Sequence, residues 1–278
     1  EKHQKNDEAN GKMLYYLSNT FKYPKNFEML LYATQLLQAE AIRYGVEHWR
    51  RNRGRCMGTI YWQLNDCWPV ASWSSIDYYG RWKALHYFAK RFFAPILISA
   101  EQDAKTVRLH IINETMEDID GKIIWSLKDN KCNIIKEGYM DVSIDKLSSS
   151  QSLTLNFEDE LKTICELQRS YLEYAFVNDN RKVSSGTLLF VPPKHFEFLD
   201  PYITLDIKEE RDEFQIELSC RAFAKYIKID FAEFDCILSD NYFDLSKDCT
   251  KIIKLSKKNL EGDFSIEDVK NNIKINSI

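Results

Sequence analysis

The sequence predicts a multidomain chain of mixed α/β and all-β class: an α/β segment over residues 1–95, then two antiparallel, immunoglobulin-like β-sandwiches over 96–193 and 194–278. Three observations carry this. Helical periodicity brackets one short apolar run before Pro95, and period-2 alternation dominates after it. A length of 278 residues also exceeds what most single cores hold, so two or three domains are expected.

Residues 26–50 read as a helix. Pro24 precedes it, Asn26 suits the N-cap, and Phe27, Leu30, Leu31, Thr34, Leu37, Ala41 and Tyr44 recur at helical spacing. Arg50, Arg51, Arg53 and Arg55 gather at its end, where cations complement the carbonyl end of the helix dipole. Residues 56–64 are a nearly continuous apolar run with β-branched and aromatic members, which predicts a strand buried on both faces as in a parallel sheet. Trp82, Leu85, Ala89 and Phe92 mark a second amphipathic helix that ends before Pro95. One strand cannot form a parallel sheet, so this part reads as a fragment of an α/β fold. The opening Glu1-Lys2-His3-Gln4-Lys5-Asn6-Asp7-Glu8 resembles neither a translation start nor a signal peptide, and the chain reads as a piece of a longer one.

Beyond Pro95, Val107, Leu109 and Ile111 alternate with Arg108 and His110, and β-type runs recur at 122–127, 152–157, 171–177 and 186–191. About a hundred residues with this pattern is the usual size of an immunoglobulin-like sandwich. Pro192-Pro193 reads as a linker. Runs at 202–207, 213–219, 226–231 and 251–255 then build a smaller second sandwich, and the Lys- and Asn-rich stretch from Asp248 onward reads in part as a frayed edge.

The net charge of −4 and the lack of a long basic stripe argue against nucleic acid as a partner, and no apolar run is long enough to span a bilayer. Seven cysteines, none in a C-x-x-C pair, suggest neither a disulfide framework nor a zinc site, and a reducing, cytoplasmic setting is expected, with secreted or lysosomal as the alternative. Asn113-Glu114-Thr115 is a lone glycosylation triplet. The histidines His48, His110 and His195 have no partners at ligand spacing, so no metal and no cofactor is expected.

Four of the six tryptophans fall between Trp62 and Trp82, in a stretch rich in Ser, Asp and Asn that also holds Tyr61, Tyr78 and Tyr79. Flat apolar faces beside amides and carboxylates suit a sugar, whose C–H faces stack on rings and whose hydroxyls take polar groups.

Met57-Gly58-Thr59-Ile60-Tyr61-Trp62-Gln63-Leu64-Asn65-Asp66-Cys67-Trp68-Pro69 resembles the end of the catalytic barrel of the β-mannosidases in glycoside hydrolase family 2. So do Ser72-Trp73-Ser74-Ser75-Ile76-Asp77-Tyr78 and Trp82-Lys83-Ala84-Leu85-His86-Tyr87. Upstream, residues 18–24 and Tyr32-Ala33-Thr34-Gln35-Leu36-Leu37-Gln38-Ala39 fit the same family, and Ser239-Asp240-Asn241-Tyr242-Phe243-Asp244 resembles a motif in its last immunoglobulin-like domain.

The resemblance implies that residues 1–95 are the C-terminal part of a (β/α)8 TIM barrel. It implies removal of terminal β-D-mannose from the non-reducing end of a β-mannoside oligosaccharide, with retention. Retention needs two close carboxyl groups, one acid/base and one nucleophile. In the family both are glutamates at the ends of the fourth and seventh strands. Residues 56–64 match the eighth, so both glutamates are expected upstream of residue 1, in the missing N-terminal part of the same polypeptide, and none of the catalytic residues in this chain. Trp62 is expected to wall the mannose pocket, Asn65 and Asp66 to meet substrate hydroxyls, and Trp68 and Trp73 to line the outer cleft. The competing readings are a core tryptophan for Trp62, a loop carboxylate capping backbone or pairing with an arginine for Asp66, and loop packing for Trp68 and Trp73. Asp77 reads as a turn residue, and Trp82 and His86 as packed on their helix. The alternative functions are a non-catalytic carbohydrate-binding or structural module, or another family 2 activity (β-galactosidase, β-glucuronidase). The sandwiches carry no chemical motif and read as scaffolding. Without the rest of a barrel, residues 1–95 are expected to expose apolar surface.

Overall fold

The computed structural model describes residues 4, 6–247, 249–260 and 262–278. The readings that fall on Glu1, Lys2, His3, Lys5 and Asp248 lie outside them. Three helices come first: α1 (Ala9–Thr20), α2 (Phe27–Arg51) and α3 (Ala84–Phe92). The Asn26 side chain accepts from the Met29 N–H at 2.9 Å and so caps α2. Helix α1 has a weak apolar stripe, with only Leu17 buried, and periodicity does not reveal it. Helix α3 starts at Ala84 instead of Trp82, because the Lys83 N–H bonds to the Ser75 carbonyl (2.9 Å) and Trp82 bridges to Ile76.

Residues 56–64 form no strand, which corrects the expectation of one buried on both faces. Met57, Ile60, Trp62 and Leu64 are exposed, Ile60 at 95%. A strand exists only through its ladder. Apolar sequence cannot supply the neighbour, and no described strand lies alongside this segment.

The first sandwich follows. Its strands are β1 (Ile96–Asp103), β2 (Thr106–Asn113), β3 (Ile119–Asp129), β4 (Ile134–Ile144), β5 (Ser148–Asn156), β6 (Ser170–Asn178) and β7 (Arg181–Leu189), with a short helix α4 (Ile164–Arg169) before β6. They pair antiparallel as β1-β2-β5 and β4-β3-β6-β7. Alternate residues of both sheets face one core, with Val107, Leu109, Ile111, Ile123, Leu127, Leu172 and Phe176 fully inside. Asn113 is fully buried, and its amide donates to the Glu117 and Asp145 carbonyls, so the glycosylation triplet is a structural turn.

The second sandwich has β8 (Thr204–Glu209), β9 (Glu213–Ser219), β10 (Ala224–Phe231), β11 (Phe243–Leu245), β12 (Lys251–Ser256), helix α5 (Ile266–Asn272) and β13 (Ile273–Asn276). Its sheets are β12-β9-β8 and β11-β10-β13. The C-terminal stretch is therefore woven in instead of frayed: β12 pairs with β9 from Lys251 to Ser256, and β13 with β10. Ser265 and Asp268 cap α5 reciprocally.

These layers share cores. The helical core around Leu36, Leu85 and Phe92 is completed by Tyr226 and Tyr242 of the second sandwich. Tyr32 donates to the Tyr226 carbonyl at 2.5 Å. Arg91 donates to Asp240 and to the Asn241 and Tyr242 carbonyls, so the 239–244 motif is where α3 grips the second sandwich. Two arginines at the end of α2 grip the first, Arg51 through the Ser99 hydroxyl (2.7 Å) and Arg53 by pairing with Glu114, while Arg50 holds the Ala94 carbonyl just ahead of it (2.9 Å). The Pro192-Pro193 joint is ordered, with a 3-10 turn at Pro193–His195 leading to buried Phe196. Between the sandwiches Tyr171 stacks on Phe223 with centroids 3.8 Å apart, and Phe196 packs beside them. Lys225, nearly fully buried, donates to Asp244 (2.8 Å) and Thr187 (3.0 Å) across the same joint.

Candidate functional site

The aromatic loop over 61–83 is pinned by a small polar scaffold. The Ile76 N–H bonds to the Leu64 carbonyl (2.8 Å) and the Asp66 N–H to the Ile76 carbonyl (3.2 Å), which fold the chain back on itself. Gln38 of α2 donates to the Trp73 carbonyl at 2.8 Å, and Gln35 accepts from the Ala84 N–H at 3.2 Å. Tyr61 stacks on Phe93. The Trp62-Gln63 peptide is cis.

Under the loop lies an ionic knot. Asp66 is buried and accepts from Ser72 and Ser74, while Lys83 donates to Ser74 (2.7 Å) and to Asp66 (3.3 Å). Burial works to raise the Asp66 carboxyl, but the two serine bonds and the Lys83 charge outweigh it and hold the group below the usual carboxylate range. A second chain of bonds runs through Ser75. Its hydroxyl reaches the Leu64 carbonyl (3.0 Å), Tyr61 Oη (2.9 Å) and His86 Nδ1 (3.0 Å). A carbonyl only accepts; with the single Ser75 proton given to it, Tyr61 and His86 Nδ1 donate. His86 lies edge-on to Trp82 at 4.3 Å, and burial lowers its pKa. Asp77 is a turn residue, accepting from the Tyr79 and Arg81 N–H groups and from the Arg81 side chain.

The five residues singled out for substrate therefore divide. Trp62 (72% exposed), Trp68, Trp73 and Asn65 lie at the surface, whereas Asp66 points inward into the knot. The partner of Asp66 is a lysine, Lys83, and not an arginine. Lys83, Ser72 and Ser74 escape sequence reasoning because their types are common in loops; only the Asp66–Lys83 separation of 17 residues across a turn makes them a unit. The arrangement can present rings and amides to a polyhydroxylated ligand. It holds both of its carboxylates, Asp66 and Asp77, in structural bonds.

Known proteins share this build. Residues 105–195 match the family described as Mannosidase Ig/CBM-like domain, and residues 198–278 match the Ig-fold domain family of mannosidases. The β-mannosidase of Mus musculus is 26% identical over 290 residues, covering 95% of this chain and 33% of its own length. That of Bos taurus is 28% identical over 293 residues, covering 93% of this chain and 32% of its own. The chain is a relative of the β-mannosidases. It spans about a third of the length of these relatives. The crystal structure of the β-D-mannosidase from Dictyoglomus thermophilum superposes with a TM-score of 0.85 over 98% of this chain and 32% of its own, at 24% identity, so the fold is shared from the helices to the last strand. The two matched families fall on the two sandwiches, and the Mus musculus alignment takes in 95% of this chain.

Proposed function

We infer that this chain is the C-terminal portion of a retaining β-mannosidase that removes terminal β-D-mannose from oligosaccharides. In this reading residues 1–95 close a (β/α)8 barrel, and residues 96–193 and 194–278 are the two sandwiches that brace it. The observation that carries the reading is the contrast within 56–66. A run apolar enough for a buried strand lies open, with Ile60 and Trp62 exposed, directly beside a fully tied ionic knot. Such a surface is complete only with neighbouring staves, which we assign to the polypeptide upstream together with both catalytic glutamates. Trp62 then walls the sugar site, with Asn65 at its mouth and Trp68 and Trp73 further out. Asp66 acts on the site indirectly, by fixing the loop. All seven cysteines are free thiols, which supports a reducing, cytoplasmic setting.

The test is hydrolysis of p-nitrophenyl β-D-mannopyranoside. Residues 1–278 alone are expected to be inactive, and the polypeptide including its upstream part active. In the active form Trp62→Ala is expected to lower kcat/KM by about 10- to 100-fold through loss of an apolar wall. Turnover by residues 1–278 alone would overturn the assignment of the acids upstream.

A further inference from the structure

One cavity is far in sequence from the aromatic loop. It has a volume of about 650 Å³, and none of its lining comes from residues 1–95. It lies on the outer face of sheet β4-β3-β6-β7, the face turned away from the first sandwich's core. Register defines that face. Tyr139, Ile124 and Ala175 lie in one cross-strand row, and Glu137, Ser126 and Glu173 in the next. The following row contains Tyr171, which is covered by Phe223 of the second sandwich. The second sandwich thus roofs one half of the face and leaves the other half open, with Cys249 at the boundary.

The groove arises from side-chain size. Ser126 and Ala175 are small and make the floor, whereas Tyr139, Glu137, Lys128 and Lys182 are long and make the rim. Tyr139 is 67% exposed, and the Lys122 ammonium lies 4.3 Å from its ring centroid and props it. The charges cancel: Lys128 pairs with Glu173 at 2.6 Å, and Lys182 and Glu137 are one of each sign. The side chains of Ser126, Glu137 and Lys182 and the Tyr139 hydroxyl make no hydrogen bond to the described residues, so donors and acceptors of both kinds face the groove with capacity unused.

We propose that this groove binds a neutral oligosaccharide, as a second glycan site separate from the aromatic loop. A balanced lining offers nothing to a phosphate or to a polycation, and an acidic or basic peptide would meet as much repulsion as attraction. A chain of hydroxyls uses donors and acceptors alike, and its C–H faces use Tyr139 and Ile124. The volume falls within the ordinary range for ligand pockets, roughly 300–1,000 Å³. The choice of a mannose-based ligand rests on the function inferred above; the groove itself does not.

The experiment is titration of β-1,4-linked mannotetraose into the 278-residue chain, by calorimetry and by ligand-observed NMR. Binding is expected to persist in Trp62→Ala, which leaves the groove intact. In that background Tyr139→Ala is expected to weaken it by about tenfold or more, from loss of the ring contact. Ser126→Trp, which fills the floor, is expected to remove it. Both positions are on a solvent face, and an unchanged circular dichroism spectrum and melting midpoint show that the variants fold; Lys182→Ala serves as a third if either does not. Absence of binding, binding lost on Trp62→Ala alone, or binding indifferent to the groove substitutions would each overturn the proposal. Of these, loss on Trp62→Ala alone supports the loop as the sugar site, and the hydrolysis assay judges that function independently.

Discussion

Asp66 shows how one buried charge can set a loop. Its carboxylate is satisfied by two serines and Lys83, so removing it strands a lysine and two hydroxyls under the aromatic residues. Breaking one side of a buried pair is far more damaging than never having built it. Asp66→Ala is expected to cost about 3–5 kcal/mol, read as a fall in the urea midpoint. The pH dependence follows from the depressed carboxyl. Its contribution is complete above the unfolded value, about 3.9, and is lost as pH falls through the lower folded value. Asp244 behaves alike: burial works to raise it, but Lys225, Thr187 and the Tyr226 N–H hold it low. Acid titration of stability is therefore expected to steepen below the ordinary carboxylate range, and less so in Asp66→Ala. The sequence announced Trp62 and its neighbouring rings by composition alone. It did not announce the direction of Asp66, because a carboxylate two positions from a surface ring can point either way until its partner is known.

The elements differ in how openly they are written. Helix α2 was legible because cap, stripe and terminal charges agree, and β9 because its alternation is strict. Strand β4 was not, since as an edge strand it leaves most of both faces exposed and has little alternation to read. Strand β11 is only three residues long. The apolar run at 56–64 shows the opposite failure: composition signalled a buried strand, but burial depends on neighbours that a local pattern does not contain. The arginine cluster was legible as charge at a helix end. What it grips, the Ala94 carbonyl and, in the first sandwich, Ser99, is a property of the fold. Close packing within a sheet can be tested at Gly186. A Cβ there would lie 2.5 Å from Tyr174 Oη and 2.7 Å from its Cζ, and Tyr174 is buried. Gly186→Ala is expected to displace that ring and cost about 1–3 kcal/mol, seen as a lower thermal midpoint.

At the scale of the whole molecule, the joints are cores in their own right. Phe223 is buried against Tyr171 and Phe196, and its loss would open a cavity between the sandwiches. Phe223→Ala is expected to cost about 3–5 kcal/mol and to split one calorimetric transition into two. The change of period at Pro95 and the proline pair suggest three units. Their interdependence is not written in the local pattern, because it rests on rings such as Tyr226, within β10, and Tyr242, just before β11, whose partners lie far away in sequence. That interdependence has a consequence for how the chain is made. Tyr32 waits 194 residues for the carbonyl that receives its hydroxyl. On the ribosome these helices emerge before the second sandwich, with their apolar side unfinished until Tyr226 and Tyr242 follow. The nascent chain must therefore carry an open seam while those 194 residues are made, which marks this stretch as the natural place for a holding chaperone to act.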